Sequence, residues 1–261
     1  MEYGLQLFSV RDLAEKNLDE ALRQVSALGY KFVEFAGFFG HSAEEVRGML
    51  EKYGLRVSGT HTGWQEIAEH FEETVAYHKA IGNTNIIVPG ADLSDQKKLD
   101  AFIEMANEFQ PRLAAEGIRM GYHNHSHEFK PNSDGSMIHD QLVYRTQLEL
   151  EIDTFWAFAG GVEPTEIMER LKDRVHVIHI KDGMKNGSGM PLGKGEAPVA
   201  AVYQKAVQMG IPMVVESETL TPSGMDEARV CIEYLNELEK KYVVRLTGTC
   251  PAQSALNNLH A

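Results

Sequence analysis

The sequence predicts an α/β protein that folds as a single-domain (β/α)8 TIM barrel. Strand-like and helix-like segments alternate eight times along the 261 residues, and such alternation implies parallel strands joined by right-handed crossovers. Eight such units in about 250 residues favour a closed barrel over an open doubly wound sheet. No glycine-rich phosphate loop follows the first strand, which further weakens the open-sheet alternative.

The eight predicted strands are short runs rich in β-branched and other apolar residues, such as NIIV and VHVIHI. They cover residues 5–10, 31–36, 55–61, 85–88, 118–123, 148–153, 175–180 and 212–216. The helices that follow them repeat apolar residues at helical spacing. They cover residues 18–28, 42–53, 72–81, 94 or 95 to 116, 137–145, 163–172, 197–209 and 223 or 226 to 241.

Capping residues support these helix boundaries. Ser42, with Glu45 three positions on, forms a capping box, and Pro164 lies in a first turn, where its missing N–H costs nothing. Glycines such as Gly29 and Gly54 follow the last helical residues as C-caps. We therefore expect one barrel domain over residues 1–242, followed at 243–261 by a tail that is either disordered or an added arm.

Composition excludes several classes of function. Hydrophobic residues make up 43% of the chain and charged residues 24%, as in ordinary globular proteins. The net charge of −13 disfavours nucleic acid as a partner, and no run approaches the length of about 18 apolar residues that a membrane span needs. Two cysteines without metal or redox spacing, and a start without a signal-peptide pattern, predict a cytoplasmic protein.

Acidic and histidine side chains stand at the predicted carboxyl ends of the strands, where barrels of this type gather their reactive groups. The set comprises Glu34, His61, His123, His125, Glu128, Asp153, His179, Lys181 and Glu216. Closure of the barrel would bring these residues to one rim. Three carboxylates and one imidazole from neighbouring strand ends would form an oxygen-rich divalent site, which suits Mn²⁺, Mg²⁺ or Co²⁺ better than a thiolate zinc site does.

Several of these residues also have a purely structural interpretation. Asp153 is equally well placed as the N-cap of a turn, and His179 as a core histidine bonded to a carbonyl. Lys181 could pair with its neighbour Asp182. Glu216 is harder to explain structurally, because a carboxylate at the end of the apolar run PMVV needs a partner when buried.

Five segments together resemble one known family. They are YHNHSHEF at 122–129, EIDTFW at 151–156, VIHIKD at 177–182, LGKGE at 192–196 and VVESE at 214–218. With LQLFSVRD at its start, the chain from residue 5 to about residue 234 resembles the xylose isomerase-like sugar isomerase/epimerase family. These TIM barrels also include inosose dehydratases, hydroxypyruvate isomerases and, more distantly, endonuclease IV.

The resemblance implies one divalent metal, with Mn²⁺ expected first and Mg²⁺, Co²⁺ or Zn²⁺ as alternatives. Its implied ligands are a Glu, an Asp, a His and a Glu from strands 5 to 8, and Asp153, His179 and Glu216 match three of them. Sugar epimerases of the family carry a Glu where this chain has His123. We therefore expect Glu128 to serve as the fifth-strand ligand, with a histidine of the same segment as the alternative.

The resemblance further implies isomerisation or epimerisation of a sugar or keto-sugar, by proton transfer beside a carbonyl through a metal-stabilised enediolate. Glu128 and Glu216 are the expected acid–base pair, His125 a further catalytic residue, and Lys181 the holder of a substrate oxygen. The expected substrate contacts are His61, His123, Trp156 and Glu34.

Three other functions remain open at this point. The main alternative is a lyase or dehydratase that uses the same metal and base on a keto-inositol or 3-keto-glycoside. An endonuclease would need several zinc ions and a basic groove, which the charge of −13 argues against. A non-enzymatic barrel would leave the strand-end residues unexplained. The expected partner is a small, unphosphorylated sugar, and the sequence leaves a homo-oligomer open.

Overall fold

The computed structural model describes residues 1–132 and 134–247. Within them, eight parallel strands close into a barrel, which confirms the predicted fold class. The strands are β1 (Gly4–Gln6), β2 (Phe32–Phe35), β3 (Arg56–His61), β4 (Asn85–Val88), β5 (Arg119–His123), β6 (Glu149–Asp153), β7 (Val175–Ile180) and β10 (Met213–Val215). A separate antiparallel hairpin, β8 (Asp182–Gly183) with β9 (Gly189–Met190), follows β7. The barrel strands pair in chain order, and β10 pairs with β1 to close the ring.

Helices follow the strands as predicted. They are α1 (Arg11–Ala14), α2 (Leu18–Leu28), α3 (Ala43–Tyr53), α4 (Trp64–Glu69), α5 (Phe71–Ala80), α6 (Gln96–Ala115), α7 (Ile138–Arg145), α8 (Thr154–Ala159), α9 (Pro164–Arg170), α10 (Val199–Met209) and α11 (Gly224–Thr247). The capping box of Ser42 and Glu45 is present, and Gly29 and Gly54 end their helices in the left-handed conformation. Among the described residues, no helix combines the length and hydropathy that a membrane crossing requires.

Several features depart from the predicted elements, and the short helices α1, α4 and α8 are additional to the eight predicted helices. The first strand ends at Gln6, because the next four residues, Leu7–Val10, form a 3-10 helix. Neither α8 nor the hairpin was predicted, and both lie just beyond strand ends that carry site residues. A second 3-10 turn, His127–Phe129, reorients the segment after β5. Helix α11 continues past the predicted domain boundary at 242, and residues 248–261 of the predicted tail lie outside the described residues.

Alternation along the strands arranges the barrel interior in layers. Four apolar side chains pack together toward the amino-terminal end: Phe32, Ile87, Val177 and Val214. Two positions after Phe32, Val177 and Val214, the inward-facing residues are Glu34, His179 and Glu216. The intervening residues, such as Val33 and Ile178, join the large apolar core. The interior therefore has an apolar floor with polar groups above it, at the carboxyl ends of the strands.

Candidate metal centre and active site

A cavity of about 430 Å³ opens at the carboxyl end of the barrel. Its walls contain Phe8, Ala36, Gly37, His61, Pro89, His123, His125, Glu216 and Glu218. Another cavity of about 470 Å³ opens at the amino-terminal end, with Arg56, Arg119 and His176 in its wall. It contains none of the predicted site residues, so the carboxyl-end cavity is the candidate active site.

Four side chains from consecutive strands of the ring converge at the bottom of this cavity, and we call them the outer group. They are His123 at the end of β5, Asp153 at the end of β6, His179 on β7 and Glu216 after β10. One ligand atom from each lies within 4.8 Å of the ligand atoms of the others. All four residues are buried. Three of them are ligands that the sequence predicted, and His123 takes the place expected for Glu128.

Asp153 serves both the fold and the site. Its Oδ1 accepts a hydrogen bond of 2.7 Å from the backbone N–H of Trp156 and so caps helix α8. Its Oδ2 is buried without a hydrogen-bond partner among the described residues, and lies 3.9 Å from His123 Nε2. Burial raises the pKa of Asp153 to about 7. The structural interpretation of Asp153 as an N-cap therefore holds for Oδ1, and Oδ2 remains available for the predicted metal.

A second set of polar side chains lies beneath the outer group. Glu34 Oε1 lies 2.7 Å from His179 Nε2, 3.0 Å from His61 Nε2 and 2.7 Å from Gln6 Nε2, which donates to it. Glu151 Oε2 lies 2.8 Å from His61 Nε2 and 3.0 Å from His123 Nδ1. The two glutamates, which we call the inner carboxylate pair, are completely buried and do not line the cavity.

Charges within this network shift its pKa values in opposite directions. Burial opposes ionisation of Glu34, but the charges of His179 and His61 outweigh it and hold the pKa of Glu34 well below its ordinary value. Burial and the nearby Glu34 carboxylate raise the pKa of Glu151 to about 8. Burial lowers the pKa of His123, whereas the glutamates outweigh burial at His179 and raise its pKa. A metal ion would therefore displace a proton from His179 on binding.

The outer group fits a divalent metal better than the inner residues do. His123 and Glu216 line the cavity, which gives an ion access, and Asp153 Oδ2 has no hydrogen-bond partner among the described residues. The closest N–O distance within the outer group, 3.4 Å from His179 Nδ1 to Glu216 Oε2, is long for a hydrogen bond. The distances of 2.7–3.0 Å from His179 Nε2 to Glu34 and from His123 Nδ1 to Glu151 are those of ordinary N–H···O bonds. Two imidazoles and two carboxylates suit Zn²⁺, Mn²⁺ or Co²⁺.

Lys181 lies below the cavity surface, and its ammonium faces carboxylates. Its Nζ lies 2.9 Å from Glu216 Oε2, 2.7 Å from Glu218 Oε1 and 3.8 Å from Asp153 Oδ2. Burial opposes its charge, but these carboxylates outweigh burial and raise the pKa of Lys181. Lys181 is 1% exposed and lies among these carboxylates, and its predicted contact to a substrate oxygen stays a prediction.

Glu128 lies outside the outer group, and its predicted role as a metal ligand stays a prediction. The 3-10 turn places its carboxylate where Oε1 accepts from the Tyr122 hydroxyl at 2.8 Å and Oε2 from the backbone N–H of His125 at 2.9 Å. It is completely buried and absent from the cavity wall. Its predicted part in the acid–base pair likewise stays a prediction. In this structure Glu128 fixes the segment that carries His125 into the cavity.

The remaining predicted residues divide between the cavity wall and the layer behind it. His61, His123 and His125 line the cavity, and their predicted roles in substrate contact and catalysis stay predictions. Trp156 stands behind that wall, with its ring 5.8 Å from the His125 ring and 4.8 Å from Lys181 Nζ. Glu34 does not line the cavity either, because it belongs to the buried inner carboxylate pair.

Three residues of the site were not predicted. Glu151 opens the EIDTFW segment, two positions before Asp153, but no pattern singles it out as a site residue. Glu218 lies in the VVESE motif, two positions after Glu216, and that motif was the available signal. Phe8 is 40% exposed at the cavity wall, with the Arg11 guanidinium 4.0 Å from its ring centroid. No sequence pattern distinguished Phe8 from a core residue of the first strand.

Known proteins resemble this chain in sequence and in fold. A sequence-family model described as xylose isomerase-like TIM barrel matches residues 22–238. An inosose dehydratase from Geobacillus kaustophilus is 22% identical over 189 residues, which make up 63% of this chain and 61% of that protein. The chain thus spans less than two thirds of the length of this curated relative.

Two solved structures illustrate the likeness in fold. A sugar phosphate isomerase/epimerase from Parabacteroides distasonis superposes with a TM-score of 0.77 at 24% identity, covering 89% of this chain and 96% of that chain. A probable 3-DHS dehydratase from Bacillus anthracis superposes with a TM-score of 0.73 at 13% identity, covering 90% and 99%. At these identities the likeness concerns the fold alone.

Proposed function

The chain belongs to the xylose isomerase-like TIM barrel family, and we propose that it is a divalent-metal-dependent isomerase or epimerase of a sugar or keto-sugar. The observation that carries this proposal is the outer group at the bottom of the cavity, where two histidines and two carboxylates converge. A metal bound there would polarise a substrate carbonyl and the adjacent hydroxyl, which acidifies the C–H bond between them. His123, Asp153, His179 and Glu216 would hold it.

The chain offers two groups for proton transfer at the cavity wall. Burial lowers the pKa of His125, so its imidazole is neutral near pH 7 and can accept a proton. Burial opposes ionisation of Glu216, but Lys181 and His179 outweigh it and keep the pKa of Glu216 well below its ordinary value. We assign His125 as the residue that removes or returns the substrate proton, with Glu216 as its partner. Both line the cavity.

The charge of the cavity favours an unphosphorylated substrate. Glu216 and Glu218 line it, and no lysine or arginine is among the lining residues that the structure describes. Lys181, the nearest cation, is already held by three carboxylates. A phosphate group would meet net negative charge here, so we propose a neutral sugar or keto-sugar even though one structural neighbour is named a sugar phosphate isomerase/epimerase.

A lyase is the second candidate, and the sequence likeness to an inosose dehydratase favours it. Removal of a proton beside a carbonyl is the first step of both reactions. The outcome then depends on whether the carbon next to the enolate carries a leaving group, such as water or an aglycone. The same cavity residues, His125 and Glu216, would serve the lyase.

One experiment tests the proposal and separates the two candidates. The metal-loaded protein is incubated in D₂O with a panel of neutral aldoses, ketoses, keto-inositols and 3-keto-glycosides. Solvent deuterium in a recovered sugar or its epimer supports the isomerase, and loss of water or aglycone supports the lyase. Absence of both across the panel, with metal bound at the outer group, would reject enolisation of a sugar as the function.

A further inference from the structure

We propose that Glu34 and Glu151, the inner carboxylate pair, are positioning residues that aim His179 and His123 at the metal. The inference rests on the proposed metal site, which it deepens. Neither glutamate would touch the metal or the substrate. Each would instead accept a hydrogen bond from the nitrogen of a ligating imidazole that faces away from the ion.

In each of the two histidines, one ring nitrogen faces the inner carboxylate pair and the other faces the outer group. His179 Nε2 lies 2.7 Å from Glu34 Oε1, whereas its Nδ1 faces Glu216 Oε2 at 3.4 Å. His123 Nδ1 lies 3.0 Å from Glu151 Oε2, whereas its Nε2 faces Asp153 Oδ2 at 3.9 Å. A metal-bound neutral imidazole ligates through one nitrogen and keeps N–H on the other. The nitrogens next to the glutamates are therefore the N–H donors, and those facing the outer group are the ligands.

This division also means that the inner residues cannot bind a second ion while the outer group binds the first. His61, His123, Glu151 and His179 bring ligand atoms within 4.8 Å of one another and could form a metal group by distance alone. However, that group needs the nitrogens of His123 and His179 that the outer group leaves as N–H donors. Glu151 Oε2 also faces three imidazole nitrogens at 2.8, 3.0 and 3.3 Å, and a protonated carboxyl could donate to only one of them. The others must donate to it.

Backbone irregularities place both glutamates. The pairing of β2 with β3 shifts register between Val33 and Glu34, and the pairing of β6 with β7 shifts register between Leu150 and Glu151. Such shifts redirect side chains and are common next to functional sites. Gly59 pairs with Glu34, and a Cβ at Gly59 would lie 3.1 Å from Glu34 Oε2. Glycine there leaves the glutamate the room it occupies.

The proposed role predicts a loss of metal affinity in a protein that remains folded. Loss of the charged acceptor behind a ligating histidine lowers metal affinity by roughly 10- to 100-fold. Glutamine keeps the size of glutamate and one acceptor oxygen, but removing one partner of a buried ion pair also lowers the stability of the metal-free protein. Affinity is therefore compared at a temperature at which every metal-free variant is folded, where a purely structural residue would leave Mn²⁺ binding unchanged.

The test compares Glu34→Gln and Glu151→Gln with Glu149→Gln as the matched control. Glu149 lies on the same strand as Glu151, but it pairs with His176 away from the site. Mn²⁺ is titrated into each metal-free protein by calorimetry, and the melting temperature of the metal-free form is measured separately. At a temperature below the melting temperature of every metal-free form, we expect Mn²⁺ to bind roughly 10- to 100-fold more weakly to the two site variants and normally to the control.

Three results would overturn the inference. Unchanged Mn²⁺ affinity in both site variants, with binding lost in Asp153→Asn, would reject the positioning role and leave the proposed function standing. A lower melting temperature of the metal-free site variants, with Mn²⁺ affinity in the folded state equal to that of the control, would indicate a purely structural role. An anomalous Mn²⁺ peak between His61, Glu151 and His179 in a crystal would reverse the assignment of the two layers. Retention of Mn²⁺ by Asp153→Asn would instead contradict the metal site of the proposed function.

Discussion

Asp153 allows the metal site to be tested separately from the fold, because its two oxygens have different partners. Oδ1 caps α8 through the backbone N–H of Trp156, and Oδ2 has no hydrogen-bond partner among the described residues. Asparagine caps helices as well as aspartate does, so Asp153→Asn retains the capping oxygen and removes the charge. Asp153→Ala removes both. The pair of variants therefore separates loss of the metal from loss of the cap.

The expected magnitudes follow from these contacts. Loss of the cap in Asp153→Ala costs about 1 kcal/mol of stability, whereas Asp153→Asn costs little. Metal at 100 times its Kd stabilises the wild-type protein by about 2.7 kcal/mol, which raises the melting temperature of a chain of this size by roughly 5–10 °C. Both variants are expected to lose that metal-dependent rise. Only Asp153→Ala is expected to melt lower than wild type without metal.

The assay is thermal unfolding followed by circular dichroism, with Mn²⁺ or chelator present. Glu149→Asn, a change to asparagine on the same strand outside the outer group, controls for general effects of substitution on β6. A full Mn²⁺-dependent rise in Asp153→Asn would refute the reasoning, since the charged oxygen would then be unnecessary. Equal destabilisation of the two metal-free variants would refute the proposed division of roles between the oxygens.

Three further predictions concern other residues. His123→Ala is expected to abolish Mn²⁺ binding and turnover, and Glu128→Gln to retain Mn²⁺ affinity within a few-fold. Calorimetry that showed loss of Mn²⁺ binding in Glu128→Gln but not in His123→Ala would identify Glu128 as the ligand. Burial lowers the pKa of His139 from 6.5 to about 4, so on acidification its imidazole binds a proton in the unfolded chain at a higher pH than in the folded protein. His139 therefore lowers the free energy of unfolding by about 2 kcal/mol between pH 8 and pH 5. His139→Phe should remove that loss in urea titrations at the two pH values, and an unchanged pH dependence would contradict it. Buried Asp182 accepts four backbone N–H groups in the 183–197 loop, so Asp182→Asn should lower stability by about 1–3 kcal/mol in urea, with exposed Asp173→Asn neutral.

The barrel and most of the outer group follow from sequence because each depends on a local pattern. Period-2 alternation places Asp153 on the same inward face as Glu151, and the position at a strand end brings it to the rim. His179 and Glu216 are predictable in the same way. Their convergence needs only the rule that parallel strands of a barrel end at one face.

The sequence is least informative where the position of a side chain depends on a turn or on a distant neighbour. Glu128 follows β5 closely enough to be a ligand, but a 3-10 turn that no pattern announced directs it to Tyr122. Glu34 looked like a substrate contact because it stands on an inward strand face. Its partner His179 lies 145 positions away, and only the register of the closed ring shows that the two meet beneath the cavity. Side-chain depth within the barrel is therefore the property that the sequence did not convey.

The charges within the barrel explain why a divalent cation suits this interior. The carboxylates of Asp153, Glu216 and Glu218 surround Lys181, and those of Glu34 and Glu151 lie against His179. Burial opposes this excess of negative charge, and it holds protons on Asp153 and Glu151 by raising their pKa values to about 7 and about 8. A divalent cation in the outer group would replace protons as the counter-charge of Asp153, while the inner carboxylate pair would keep its histidine donors. The two-layer arrangement thus separates the residues that bind the cation from those that orient its ligands.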